Sequence, residues 1–431
     1  MALGLTLFLG SAGCSFGAAP AKGKGSIAVA SASRCAEDMP ITLRGVPTGF
    51  LATGVSSRGL IVVVGSSWEH PTGSFVVEAL LPDCAPDRSF GIGGVAHIHL
   101  PPGADRRAFE IEAVAPSTHG SVLLAGSSGA AMMVARLLPR GVLDPGFGEN
   151  GWLSLVPPDR RVSPEATALL QERSGLIVIA GDDGGCAACF RDWVTAATPR
   201  GRRDQAFGRK GWVTLFGDSS IVGLVARPGD GVVLMGEAGN MDCFSVSIAG
   251  LTSTGAMDRA FEHSFTSAWM RVEPRQSFDG TLVPGPSGSF RVVGITNNQC
   301  TASSDQIEAS GLVAGFGATG TTDAGFAQPG VVEFAAHKGE WWSFSLPDGV
   351  VMTAVDSGGV YSLRPSPQVL TLRAFSSTGS VDQRFAEAGV RTISIPSVES
   401  EGQVVSVMGD GNNVVITSTV SDGPQVRVVD G

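Results

Sequence analysis

Apolar residues in this chain come in short runs, not at helical spacing. Segments such as "LIVVVG", "SVLLAG", "LIVIAG" and "VVLMG" are rich in Val, Ile and Leu, and Gly, Asp, Ser or Pro ends each of them. Such runs predict strands joined by tight turns. Long stretches of period 3.6 and sustained heptads are missing, so few helices are expected.

The strands recur in a fixed order. Asp-x-x-Phe occurs six times, at Asp87/Phe90, Asp144/Phe147, Asp204/Phe207, Asp258/Phe261, Asp323/Phe326 and Asp382/Phe385, with 54 to 65 residues between successive Phe positions. An apolar run precedes each motif, as in "MMVARLLPRG" and "VLTLRAFSSTG". Another follows most of them, as in "GVAHIHL", "GWLSLV", "GWVTLF", "GVVEFA" and "GVRTISI"; the fourth copy lacks it. A third landmark, a turn leading into a Val-rich run, occurs seven times, from "RGLIVVVG" to "GDGNNVVITS". A less regular run such as "FEIEAVA" comes before it. The period therefore marks a supersecondary unit of four strands, with Asp-x-x-Phe in the turn between the third and the fourth.

The ends of the chain complement each other. "PQVRVVDG" closes the sequence as a third strand without a fourth, and "PITLRG" near the N-terminus is a lone strand. Pairing them would close seven four-stranded units into a ring without an open edge between first and last. The expectation is an all-β, seven-bladed β-propeller over residues 40–431, closed by an N-terminal strand. An open solenoid or a row of β-sandwiches is the rival architecture.

With the segment "RLLPRGVLDPGFGENG", residues 136–151, and its five weaker copies, the chain resembles the delta-60 repeat family of bacterial β-propellers. The resemblance implies an extracytoplasmic propeller and brings no catalytic residues with it. Later copies depart from the pattern, with Glu262, Ala327 and Ala386 in place of the Gly after Phe. The motif itself reads as structural: Asp accepts backbone hydrogen bonds across a turn, Phe anchors that turn in apolar space, and Gly takes angles forbidden to other residues.

The length of 431 residues would on its own suggest about three domains, but a repeat array absorbs it. A net charge of -10 argues against a nucleic-acid partner, because phosphate binding needs a basic footprint. Residues 1–21, opening "MALGLTLFLGSAGC", form an apolar run that is too short to span a membrane and suits an export signal. The run is similar to a bacterial lipoprotein signal, with Cys14 as the lipidated residue. An ordinary signal cut after Ala19-Pro20-Ala21 and a plain tail are the other readings. Residues 22–39 read as a flexible tether. The expected location is thus extracytoplasmic, either lipid-anchored in the cell envelope or secreted, with the anchor as the only membrane attachment.

In an oxidising compartment the remaining cysteines read as disulfide candidates. Cys35 and Cys84 fall in neighbouring turns at the closure and suit one staple. Cys186, Cys189, Cys243 and Cys300 fall in second-to-third strand loops on the other face, with their pairing open. His97 and His99 share one strand face, the least that two metal ligands need, but read as surface residues. Arg106, Arg107, Arg160 and Arg161 occupy two neighbouring loops and form a candidate patch for carboxylate or phosphate groups.

No hydrolase elbow, zinc His-Glu-x-x-His, P-loop or dinucleotide fingerprint occurs, and no cofactor is expected. The leading expectation is a monomeric scaffold that binds an unknown protein, peptide or glycan through loops on one face. The alternative is a polysaccharide lyase or hydrolase, with Glu69, His70, Asp182, Asp183, Arg191 and Asp192 as its candidate residues.

Overall fold

The computed structural model describes residues 41–43, 46, 50–66, 74–104, 109–158, 164–183, 191–215, 220–240, 243–264, 277–297, 309–327, 330–335, 341–345, 351–356, 368–386, 388–395, 403–410, 413–420 and 423–430. Within them the chain is all-β, and seven antiparallel sheets follow one another along the sequence. The first holds Phe50–Val55, Ile61–Ser66, Ser74–Leu80 and Val95–His99; the second Phe109–Pro116, Val122–Ser128, Ala131–Leu137 and Trp152–Leu155. The third holds Glu165–Gln171, Ile177–Asp182 and Trp193–Ala197; the fourth Ser220–Arg227, Gly231–Asn240 and Cys243–Leu251. The fifth begins at Ser277–Pro284, the sixth at Trp341–Ser345 and the seventh at Gln403–Asp410.

Each sheet is a meander, and the first strand of each lies against the first strand of the next; the first strands of the seventh and first sheets are also in contact. Ile41–Thr42 pairs with the third strand of the seventh sheet, Ile41 opposite Val426 and Thr42 opposite Gln425. Nearby, Thr53 Oγ1 donates to Thr417 Oγ1 at 3.1 Å. Leu43 and Val46 join Ile61, Val63, Cys84, Val426 and Val428 in one buried apolar cluster.

Two sheets have three strands for different reasons. In the fourth a short helix, Arg259–Ser264, begins within the motif and includes Phe261, in keeping with the strand missing from its sequence. In the third, the expected strand "GWVTLF" shrinks to a single bridge between Val194 and Val213. Side chains take the backbone groups that a ladder would use: Asp192 accepts from Leu215 N at 2.5 Å, and Thr195 Oγ1 donates to the Gly211 carbonyl at 2.7 Å.

The six Asp-x-x-Phe turns are built alike. In every copy Oδ1 of the Asp accepts the backbone N–H two residues on, at 2.8 to 3.0 Å. The six Phe side chains are buried, and burying each stabilises the fold by about 1.5–3 kcal/mol. The residue after Phe then reaches the next unit: Gly91, Gly148, Gly208 and Ala327 donate their N–H to the carbonyls of Arg140, Arg200, Thr254 and Thr378. Ala327 (φ 46°) and Ala386 (φ 45°) keep the left-handed angles of the Gly residues they replace.

From the other side of each junction comes a Gly. At Gly141, Gly201, Gly255, Gly320 and Gly379 an added Cβ would lie 2.8 to 3.1 Å from the Phe ring of the preceding unit. The ring packs on bare backbone, so only Gly permits this approach.

Three arginines reinforce the junctions. Arg136, Arg227 and Arg291 each pair with the Asp of their own unit (Asp144, Asp258 and Asp323) at 2.7, 2.8 and 3.0 Å. Each lies over its own unit's Phe and donates to a carbonyl in the next unit's turn, Pro199, Ala318 or Ser377.

Candidate functional site

At the other end of the first strands, where the second strands lead into the third, carboxylates gather. Glu110 and Glu112 come from Phe109–Pro116, Glu165 starts the first strand of the third sheet, and Asp182 ends its second strand directly opposite Glu165. The pairing register slips between Ile111 and Ala113, which leaves Glu112 as the extra residue of a bulge. Bulges re-aim side chains, and a regular strand would have put Glu110 and Glu112 on one face.

Burial and mutual repulsion dominate the electrostatics. Burial first, then Glu165, Asp182 and Glu110, push the Glu112 carboxyl well above the usual carboxylate range. Burial, followed by Asp182, Glu110 and Asp183, raises Glu165 to about 7. Burial also raises Glu110. Oε1 of Glu112 is buried without a hydrogen-bond partner, although the side chain as a whole keeps some solvent contact. Asp182 is held from the fourth sheet, where the Ser220 hydroxyl donates to its Oδ2 in a short hydrogen bond. Asp183 accepts from Arg191 N at 3.0 Å. The site therefore sets two carboxyls of raised pKa beside Asp182, which Ser220 orients, a grouping that general acid and base chemistry can use.

The sequence candidates divide among several fates. Asp182 and Asp183 belong to the cluster. Asp192 is buried and holds Leu215, while Arg191 is exposed with its guanidinium 5.9 Å over Trp193. Glu69, His70, Arg106, Arg107, Arg160 and Arg161 lie outside the described residues, as do Cys14, Cys35, Cys186, Cys189 and Cys300. Cys243 begins a strand and is not in a loop, because the ladder with Gly231–Asn240 extends to the pair Asn240 and Cys243. Cys84 is fully buried, carries a φ of 60° and is disulfide-bonded. His97 and His99 share an exposed strand face, and among the described residues no group of metal-ligating side chains forms a metal site.

Sequence reasoning missed Glu110, Glu112, Glu165 and Ser220. The available signal was "FEIEAVA", two acidic residues in a strand expected to be buried at the centre. A separate groove of about 670 Å³ lies at the opposite strand ends of the first sheet, lined by Leu81, Pro86, Arg88, Ile92 and Val95.

No protein-family model matches the chain, and no curated protein matches it. Among solved structures it is similar to an ulvan lyase of polysaccharide lyase family PL25 bound to -[GlcA(1-4)Rha3S]-, with 8% identity, a TM-score of 0.50 and coverage of 90% of this chain and 94% of the lyase. It is also similar to the GH93 α-L-arabinofuranosidase of Fusarium graminearum (8% identity, TM-score 0.45, 77% and 95% covered) and to the α-L-arabinanase of Penicillium chrysogenum (11%, 0.41, 77% and 95%). The first likeness shows a shared propeller-type fold.

Proposed function

We propose that this chain is an exported glycoside hydrolase, built as a seven-bladed propeller of the delta-60 repeat type and closed by its N-terminal strand. Seven successive sheets, the contact between the seventh and first sheets, and the pairing of Ile41 with Val426 support the architecture. The opening "MALGLTLFLGSAGC" supports export, with lipid attached at Cys14.

The carboxylate cluster carries the reading. Cleaving a glycosidic bond takes one carboxyl that still holds its proton at neutral pH and a second, ionised one across the bond. Glu112 and Glu165 have the raised pKa that suits a proton donor. Asp182, oriented by the hydrogen bond it accepts from the Ser220 hydroxyl, is assigned the role of the second carboxyl. The ulvan lyase of similar fold acts on a polysaccharide, in line with a glycan substrate. Hydrolysis of a neutral glycan is favoured over a lyase reaction on a uronate, because a uronate would add one more carboxylate to a buried cluster whose members already raise one another's pKa. A scaffold role is supported by the separate groove, where Ile92 is 91% exposed.

The test is release of reducing ends from a panel of neutral and acidic polysaccharides by the full chain. Glu112→Gln and Asp182→Asn are each expected to lower the rate about 100-fold or more while the fold survives. Absence of turnover on every glycan would remove the hydrolase reading and leave the scaffold.

A further inference from the structure

Five junctions between consecutive units share one lock, a Phe of one unit packed on a Gly of the next. The closing junction, from the seventh unit to the first, has neither residue. Cys84 stands in the Gly position: its N–H donates to Leu81 O at 2.7 Å, as Gly141 N donates to Leu138 O at 2.8 Å, and its φ of 60° is the left-handed angle of those glycines. A residue with a side chain seldom adopts that angle. Its side chain points into the cluster formed by Leu43, Val426 and Val428, and it is disulfide-bonded.

Strand register identifies the other half. In the second unit Leu153 pairs with Val134, and Phe147 lies six residues before Leu153. Val426 holds the matching place in the seventh unit, since Val429 pairs with Val414 as Leu137 pairs with Val122. Val426 pairs with Ile41, and six residues before Ile41 stands Cys35. Cys35 thus has the sequence position of the missing Phe, just as Cys84 has that of the missing Gly.

We propose that a Cys35–Cys84 disulfide replaces the Phe–Gly lock at the junction between the seventh unit and the first. The proposal rests on the closed seven-unit reading above. Cys35 precedes Ile41–Thr42, the strand that pairs with the seventh sheet and runs on into the first, so the bond pins that strand to the first unit's turn at Cys84. Forming it takes two electrons and two protons from the thiols, accepted by the disulfide of an extracytoplasmic thiol oxidase, which becomes a dithiol.

The experiment is peptide mapping of the full chain, exported into an oxidising compartment and digested without reductant, together with melting curves. A Cys35–Cys84 linked peptide is expected. Cys35→Ser and Cys84→Ser should each lower Tm by about 5 °C or more, with no further loss in the double variant. Cys35→Phe with Cys84→Gly, which rebuilds the lock of the other junctions, should recover part of that loss. Linkage of Cys84 to any other cysteine, or an unchanged Tm in Cys35→Ser, overturns the proposal. Leu43→Asp probes closure itself by placing a charge in the buried seam. If it too leaves Tm unchanged, the closed-ring reading fails along with the disulfide.

Discussion

Nη2 of Arg291 lies 3.0 Å from Oδ2 of Asp323, and the same guanidinium sits 4.4 Å over the ring of Phe326. The Arg side chain is almost wholly buried while the Asp is partly open to water. The carboxylate, the ring face and the Ser377 carbonyl together take up a charge that the interior would otherwise reject.

Removing one partner should therefore cost more than removing both. Asp323→Ala leaves a buried cation and is expected to destabilise by about 3–5 kcal/mol, while Arg291→Met with Asp323→Ala should lose less. Denaturant unfolding of the two single variants and the double variant measures the coupling; simple additivity would count against it.

Gly201 has a φ of 69°, and a Cβ there would lie 2.8 Å from the Phe147 ring. Gly201→Ala should cost more than the roughly 1 kcal/mol of backbone strain alone, because the ring must also move. Gly229, with φ 81° and open space around its Cβ position, serves as the control: its Ala variant should show the strain without the clash.

Glu172 is buried at the strand ends away from the carboxylate site. Burial, then Asp230 of the neighbouring sheet, raises it to about 8. An acid held protonated in the fold but ionised at about 4.5 once unfolded makes stability fall as pH rises between those values. Unfolding free energy should therefore decline from mildly acid to mildly alkaline buffer, and Glu172→Gln should flatten the decline.

Glu165, raised to about 7, gives the proposed hydrolase a signature. A proton donor acts only while protonated, so activity should be present below that value and lost as pH climbs through it. In a Glu165→Gln variant, an unaltered alkaline limb of the rate profile would assign the donor to another group.

Periodic features were the legible ones. The six Asp turns and Phe anchors recur at the same place in each unit, so the sequence marked both their position and their physical role. The arginines of the locks were not legible because they come from different strands: Arg136 from a third strand, Arg227 from a first and Arg291 from a second. They meet the same Asp–Phe pair only after folding. The carboxylate site was half legible. Asp182 and Asp183 stood out in a loop, but Glu112 depends on a bulge, a one-residue slip that strand periodicity does not reveal. The bridge that replaces "GWVTLF" likewise follows from Asp192 and Thr195 diverting backbone bonds across space.

The five Phe–Gly junctions all face the same way along the chain, since in each the aromatic anchor is covered by the unit that follows it. During synthesis from the N-terminus, every new unit leaves one bare ring at the growing end, and the next unit hides it while baring its own. The nascent protein thus passes a single sticky site forward and does not accumulate five. The five rings from Phe90 to Phe326 are handed on in this way.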